Sequence, residues 1–146
     1  MKRNVYKEAL KFKTKYPMTI AWRLNFNSSV VEKHLNPDEE VLYTFVGQKN
    51  DNPFNIIGSA VICLTNKRLL IGRKRVVFGY FLNAITPDMF NDLKVVSGII
   101  WGKIHIDTVK EYITISNLDK KSLVEIETVI SSYMMEEKKK YVKNEE

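Results

Sequence analysis

One cysteine, two histidines, four prolines and six glycines in 146 residues rule out several kinds of chemistry and architecture. The lone thiol, Cys63, excludes an intramolecular disulfide, and its place between Ile62 and Leu64 gives no metal-ligand spacing. Its apolar neighbours predict inert packing. His34 and His105 are far apart, each without a paired cysteine or second histidine, so no metal site is expected. Long apolar runs are missing too: Ala60–Leu64 and Val76–Leu82 fall well short of the roughly 20 residues a membrane-spanning helix needs. No apolar stretch follows Lys2 and Arg3, which argues against a secretory signal and for a cytoplasmic protein. The sequence holds no nucleophile elbow, no phosphate-cradling glycine loop and no histidine beside a candidate nucleophile. Asp88, Asp92, Asp107 and Asp119 are scattered as ordinary turn or capping residues. The expectation is a non-enzyme with no cofactor and no small-molecule substrate.

What is present is the composition of an ordinary globular chain, 45% hydrophobic and 27% charged, with a net charge of +6. The charge is uneven. Lys2, Arg3, Lys7, Lys11, Lys13 and Lys15 stand against Glu8 alone, and Asn66 to Arg75 holds five more basic residues and no acid. Such patches serve solubility and can also attract phosphates or anionic headgroups.

Periodicity divides the chain. Val5, Ala9 and Phe12 recur at helical spacing up to Pro17. From Met18 to Phe26 the apolar residues alternate as in a strand, while Ile20 and Leu24 also suit a helix, and helix is the expectation. Ser28 or Ser29 then caps a short helix containing Val30, Val31 and Leu35, stopped by Asn36 and Pro37. Beyond Pro37 the period becomes two. Val41 to Val46 predicts a first strand, followed by a polar loop from Gln48 to Asn55 that contains Pro53.

Gly58–Arg75 is the clearest element. With Asn66 and Lys67 as a two-residue turn, Leu69 and Ile71 fall opposite Leu64 and Ile62, and together with Ala60 they share one face. Val76–Leu82 predicts a fourth strand, Leu93–Ser97 a fifth turning at Gly98, Ile100 to Ile106 a sixth, and Ile113–Ile115 a seventh after a turn at Asp107–Lys110. Finally Leu123, Ile126, Ile130 and Tyr133 mark an amphipathic helix from Asp119 to about Lys140. Its start is either an Asp119 N-cap or a Ser122/Glu125 capping box, and Glu136 with Lys140 forms an i,i+4 pair. The pattern is α+β: about seven antiparallel strands in a bent sheet or split barrel, plugged by the C-terminal helix. Residues 1–35 form a helical arm, 36–140 the barrel domain and 141–146 a fraying tail.

Leu35, Pro37, Glu39 and Glu40 before Val41-Leu42, the stretch Cys63-Leu64-Thr65-Asn66-Lys67-Arg68-Leu69-Leu70-Ile71, and Ile113-Thr114-Ile115 leading into the last helix resemble the bacterial pleckstrin-homology (PH) family, short YokE-like type. The resemblance spans about Leu35 to Met135 and implies a PH-like split barrel with a C-terminal capping helix. Phosphoinositide-binding members converge several cations around the first two strands. Here Lys49 stands alone in that region, so the resemblance implies an interaction module without that headgroup pocket.

Two candidate surfaces remain. Lys67, Arg68, Arg73, Lys74 and Arg75 are candidate anion or membrane contacts, set against the alternatives of solvated turns and, for Arg68, a structural role beside Thr65. Trp101, Lys103 and His105 form a row opposite Ile100, Ile104 and Ile106; they are either a partner face or an outer face covered by the N-terminal arm through Trp22 and Phe26. The first functional expectation is protein binding or self-association. The alternative is peripheral binding to an anionic membrane, at the inner membrane face. Nucleic-acid binding is disfavoured, because the basic segments lack interleaved aromatics and a groove-reading helix.

Overall fold

The computed structural model describes residues 4–52, 54 and 57–145. Lys2 and Arg3 of the basic N-terminal stretch, Pro53 and Asn55 of the polar loop, and Glu146 lie outside the described residues. The arm holds two helices, α1 (Val5–Lys15) and α2 (Leu24–His34). Strands β1 (Val41–Gln48), β2 (Ser59–Thr65), β3 (Leu69–Lys74), β4 (Tyr80–Ile85), β5 (Phe90–Ser97), β6 (Trp101–Thr108) and β7 (Tyr112–Asp119) follow, and α3 (Leu123–Glu145) closes the chain. The strands join in the order β4-β3-β2-β1-β7-β6-β5, all antiparallel. Only Gln48 and Ser116 join β1 to β7 in register, so the sheet is split there into two leaves.

The hairpin follows from its sequence. Leu64 pairs with Leu69 and Ile62 with Ile71, and the Thr65 amide donates to the Arg68 carbonyl across the Asn66-Lys67 turn at 2.9 Å. Local alternation and turn length set this register, because a one-residue slip would turn every core side chain outward. β2 nevertheless is buried along its whole length, on both faces. The second face, carrying Val61, Cys63, Leu70 and Gly72, lies under α2. Gly72 is required there: a Cβ would come within 2.6 Å of Val31 Cγ2.

Several expectations change at element ends. Helix covers only the end of Met18–Phe26: α2 begins at Leu24, and the residues before it are irregular because neighbours take their polar groups. Ile20 donates its amide to the Asn117 carbonyl at 2.9 Å, Trp22 to Ser59 Oγ at 2.8 Å, and Thr19 Oγ1 accepts from the Asp119 amide at 3.0 Å. Ser28 and Ser29 therefore sit inside α2, where Ser29 Oγ donates to the Phe26 carbonyl, and Arg23 holds the N-cap position with φ 54°. The fourth strand starts at Tyr80, four residues later than expected: Val76, Val77 and Phe78 form a loop closed by the Arg75 amide on the Gly79 carbonyl, with Gly79 at φ 75°. Their β-branched and aromatic character suits a strand, but no layer lies over them to reward pairing. Ile100 likewise belongs to the β5–β6 turn, and β6 begins at Trp101.

At the C-terminal end, Asp119 caps by accepting from the Lys121 amide at 3.0 Å, and Ser122 donates its hydroxyl to the Asp119 carbonyl. The Ser122/Glu125 capping box does not form, because Glu125 turns away to accept from Lys15 Nζ at 2.6 Å and Tyr43 Oη at 2.7 Å. α3 buries Leu123, Ile126, Ile130 and Met134, so that Met134 rather than Tyr133 ends the buried stripe. Its helical ion pairs are Glu136–Lys139 and Glu137–Lys140 at three-residue spacing, in place of Glu136–Lys140, and the helix continues past Lys140 to Glu145. α1 packs Phe12 against Tyr43 and Phe45 of β1, so the arm lies on the barrel of its own chain.

Candidate functional site: a basic, apolar-tipped loop

The five basic candidates separate into two groups at opposite ends of β3. Lys67 and Arg68 lie at the β2–β3 turn, and Arg73, Lys74 and Arg75 at the β3–β4 loop, about 20 Å away at the usual strand rise. Arg68 is engaged internally. Its guanidinium donates to both carboxylate oxygens of Glu39 (Nη2 to Oε1 2.8 Å, Nε to Oε2 3.3 Å) and to the His34 carbonyl at 2.8 Å. Glu39 is fully buried, and its Oε2 also accepts from Thr65 Oγ1 at 2.6 Å. Burial pushes the Glu39 carboxyl up, but the bonds from Arg68, Thr65 and the Asn36 amide outweigh it and hold it below the ordinary range. Lys67 makes an exposed ion pair with Asp38 at 3.3 Å.

The other end of β3 differs. Two aromatic rings carry two cations each: Arg73 and Arg75 lie over Phe81 at 5.3 and 5.5 Å, while Arg23 and Lys74 lie over Phe26 at 5.2 and 5.5 Å. No ion pair among the described residues neutralises these four charges. Beyond them stands the loop tip, with Val76 80%, Val77 76% and Phe78 80% exposed. Arg23, Phe26 and Trp22 come from the arm. The sequence offers Trp22 and Phe26 as one of two covers for the β6 row and gives Arg23 no signal beyond its three-residue spacing from Phe26 at the start of α2.

Just past the end of β1, Lys49 is half-buried and donates from Nζ to Asn83 Oδ1 at 2.6 Å, while Asn83 Nδ2 donates to the exposed Glu111 Oε1 at 2.8 Å. Burial pushes the Lys49 ammonium pKa down, against the opposing field of Glu111. The one cation near the end of β1 is thus tied to β4 and the β6–β7 turn of its own chain.

The β6 row is partnered within the chain. Trp101 Nε1 donates to the Met18 carbonyl at 2.9 Å, Lys103 pairs with Asp51 at 2.7 Å, and His105 bonds Thr114 Oγ1 at 2.8 Å while stacking on Tyr112 at 5.3 Å. The arm reaches this row through Met18, not through Trp22 or Phe26. Beside it lies an apolar cleft of about 360 Å³ flanked by Phe54, Val96, Ile99, Ile100, Trp101 and Lys103.

Cys63 is fully buried, and burial pushes its thiol up to about 12. Among the described residues no group of three histidine, cysteine, aspartate or glutamate side chains converges as a metal site, and no helix is long and apolar enough to cross a membrane.

Comparison with known proteins completes the picture. The model of the bacterial PH domain family matches residues 35–132. A solved pleckstrin homology domain from Shewanella amazonensis SB2B is similar at 15% identity and a TM-score of 0.49, over 77% of this chain and 89% of that one. No curated relative matches the chain.

Proposed function

This chain belongs to the bacterial PH domain family, and on that footing we propose that it is a non-catalytic interaction module that docks on anionic membrane surfaces through the β3–β4 loop. The observation that carries this reading is the pairing of a bare apolar tip, Val76-Val77-Phe78, with a collar of Arg73, Lys74, Arg75 and Arg23 directly behind it. Apolar side chains enter the acyl boundary while cations remain among the headgroups, each worth about 1 kcal/mol near an anionic surface. A convex tip of this kind fits the plane of a bilayer. Lys67 and Arg68 are excluded from the contact by their position and their carboxylate partners.

Co-sedimentation with phosphatidylcholine vesicles, with and without phosphatidylglycerol, tests it across a salt series. Binding is expected only to the anionic vesicles, to weaken as salt rises, and to be lost in Val77→Ser/Phe78→Ser. Equal sedimentation of that variant and the wild type would refute the assignment.

A second reading has its own observation: the apolar cleft beside Trp101 and Lys103 offers a face for a protein partner or a second copy. Light scattering that shows a monomer at every accessible concentration removes the self-association form of it.

A further inference from the structure

The segment matched by the family begins at residue 35, yet part of the basic collar comes from before it. We propose that the N-terminal arm supplies half of the contact surface: Trp22, Arg23 and Phe26 meet the same anionic bilayer as the Val76–Phe78 tip, and Asn27 is the positioning residue that holds the two halves in one plane. This rests on the membrane reading above.

The geometry at Asn27 is the core of the argument. Only 2% of Asn27 is exposed, and its amide spends its bonding capacity on two strands, β2 and β3, and on the arm just ahead of it. Oδ1 accepts from the Lys74 amide at 2.8 Å, and Nδ2 donates to the Ser59 carbonyl at 3.2 Å and the Trp22 carbonyl at 3.3 Å. Lys74 is the last residue of β3, where the chain leaves for the tip. Its carbonyl is taken as well, by Arg23 Nη1 at 3.0 Å. The arm therefore holds both backbone polar groups of the residue from which the loop departs. On the return side, His34 Nε2 and Tyr80 Oη lie 3.2 Å apart with their rings 5.0 Å apart, so the end of α2 tethers the first residue of β4.

The side chains that this clamp presents have interfacial chemistry. Trp22 is 50% and Phe26 45% exposed, and Trp22 flanks a hollow of about 270 Å³ shared with Arg23, Ile57, Arg73, Lys74 and Val76. Half-exposed tryptophan beside arginine and lysine is the composition of the headgroup layer. Arg23 and Lys74 share one phenyl ring without a carboxylate partner among the described residues. Two like charges on one ring gain from a counter-anion, and lipid phosphates supply one. Arg23 also sits at φ 54°, a backbone conformation that non-glycine residues rarely hold, and it is this turn that aims its guanidinium at Lys74.

The two tryptophans make the test direct. In the full chain carrying Trp101→Phe, Trp22 is the only indole. On adding phosphatidylcholine/phosphatidylglycerol vesicles its emission is expected to shift to the blue and to be quenched at least twofold by brominated acyl chains. Trp22→Phe, which leaves Trp101, shows neither change. If the Trp101→Phe chain sediments with the vesicles while Trp22 emission stays unaltered, the arm lies outside the contact and the proposal falls, although the membrane reading stands. If nothing sediments under any condition, the membrane reading fails and takes this one with it. Should Trp101→Phe not fold, the wild-type chain with 5-fluorotryptophan gives two fluorine resonances, of which only that of Trp22 should lose further intensity when nitroxide-labelled lipid replaces part of the unlabelled lipid; further loss in neither or in both equally would overturn the assignment. Asn27→Ala in the single-tryptophan chain separates positioning from folding. Tenfold weaker binding with loss of the Trp22 quench, at a temperature where circular dichroism shows the fold intact, supports positioning. An unchanged quench in the bound variant assigns Asn27 to the fold alone.

Discussion

Arg68 Nη2 stands 2.8 Å from Glu39 Oε1, joining a guanidinium one-fifth exposed to a carboxylate wholly removed from water. The pair fastens the end of the arm, through the His34 carbonyl, to the β2–β3 turn. Removing Arg68 leaves a buried charge without its counterion. Arg68→Ala is expected to cost about 3 kcal/mol, the low end for a buried pair because the guanidinium keeps some water. Lys67→Ser, at an exposed pair, is expected to change stability by less than about 0.5 kcal/mol. Urea unfolding of both variants checks the contrast, and equal effects would contradict it.

Acid sensitivity follows from the same carboxylate and from Glu125. Burial raises the Glu125 carboxyl, but bonds from Lys15 and Tyr43 outweigh it, so both groups lie below their ordinary values. A group whose folded pKa is depressed contributes stability that is present above its unfolded value and lost as the pH falls through the folded one. The thermal midpoint should therefore be steady near neutrality and drop as the pH falls below about 4, the ordinary glutamate value. Glu39→Gln should be less stable at pH 7 and should flatten that acid slope; an unchanged slope would show that Glu39 titrates normally.

Gly72→Ala tests how closely the arm approaches the sheet. The new methyl would meet Val31 Cγ2 at 2.6 Å and the Asn27 carbonyl at 3.2 Å, so α2 must shift. The expected loss is about 1–3 kcal/mol. Amide exchange should quicken in α2 and at Lys74 before it does so in β6 and β7, and uniform quickening would count against a local cause.

Cys63 should be inert in the native protein. With its thiol pushed up to about 12, the thiolate fraction at pH 8 is on the order of one in ten thousand. Labelling with an alkylating reagent is expected only at denaturant concentrations that unfold the chain. Rapid native labelling would mean that α2 opens locally to expose β2.

Val77→Ser/Phe78→Ser should leave the fold untouched, because both side chains project into water. Its urea midpoint is expected to match the wild type within about 0.5 kcal/mol. A larger loss would mean that the tip packs on the body of the protein.

What could be read from the chain depended on the distance between interacting residues. Thr65 to Arg68 and Leu64 to Leu69 are neighbours in sequence, and their pairing needs only turn chemistry and alternation. Val76-Val77-Phe78 showed the limit: strand propensity describes the residue, whereas burial depends on whether another layer lies above it, and none does. Met18–Phe26 failed for a related reason, since Asn117, Ser59 and Asp119 compete with helical bonds and lie far along the chain.

The sequence by itself determined the α+β order, the hairpin register, the burial of Cys63 and the bacterial PH family, because each rests on local periodicity or contiguous residues. Tertiary structure alone decided which cations are free. It gave Arg68 to Glu39, 29 residues away, and set Arg23 and Lys74, 51 residues apart, over one ring. Alternation tells which side chains share a face; only the folded chain decides what is laid against that face, because long loops close at little extra entropic cost and many partners compete for the same ends.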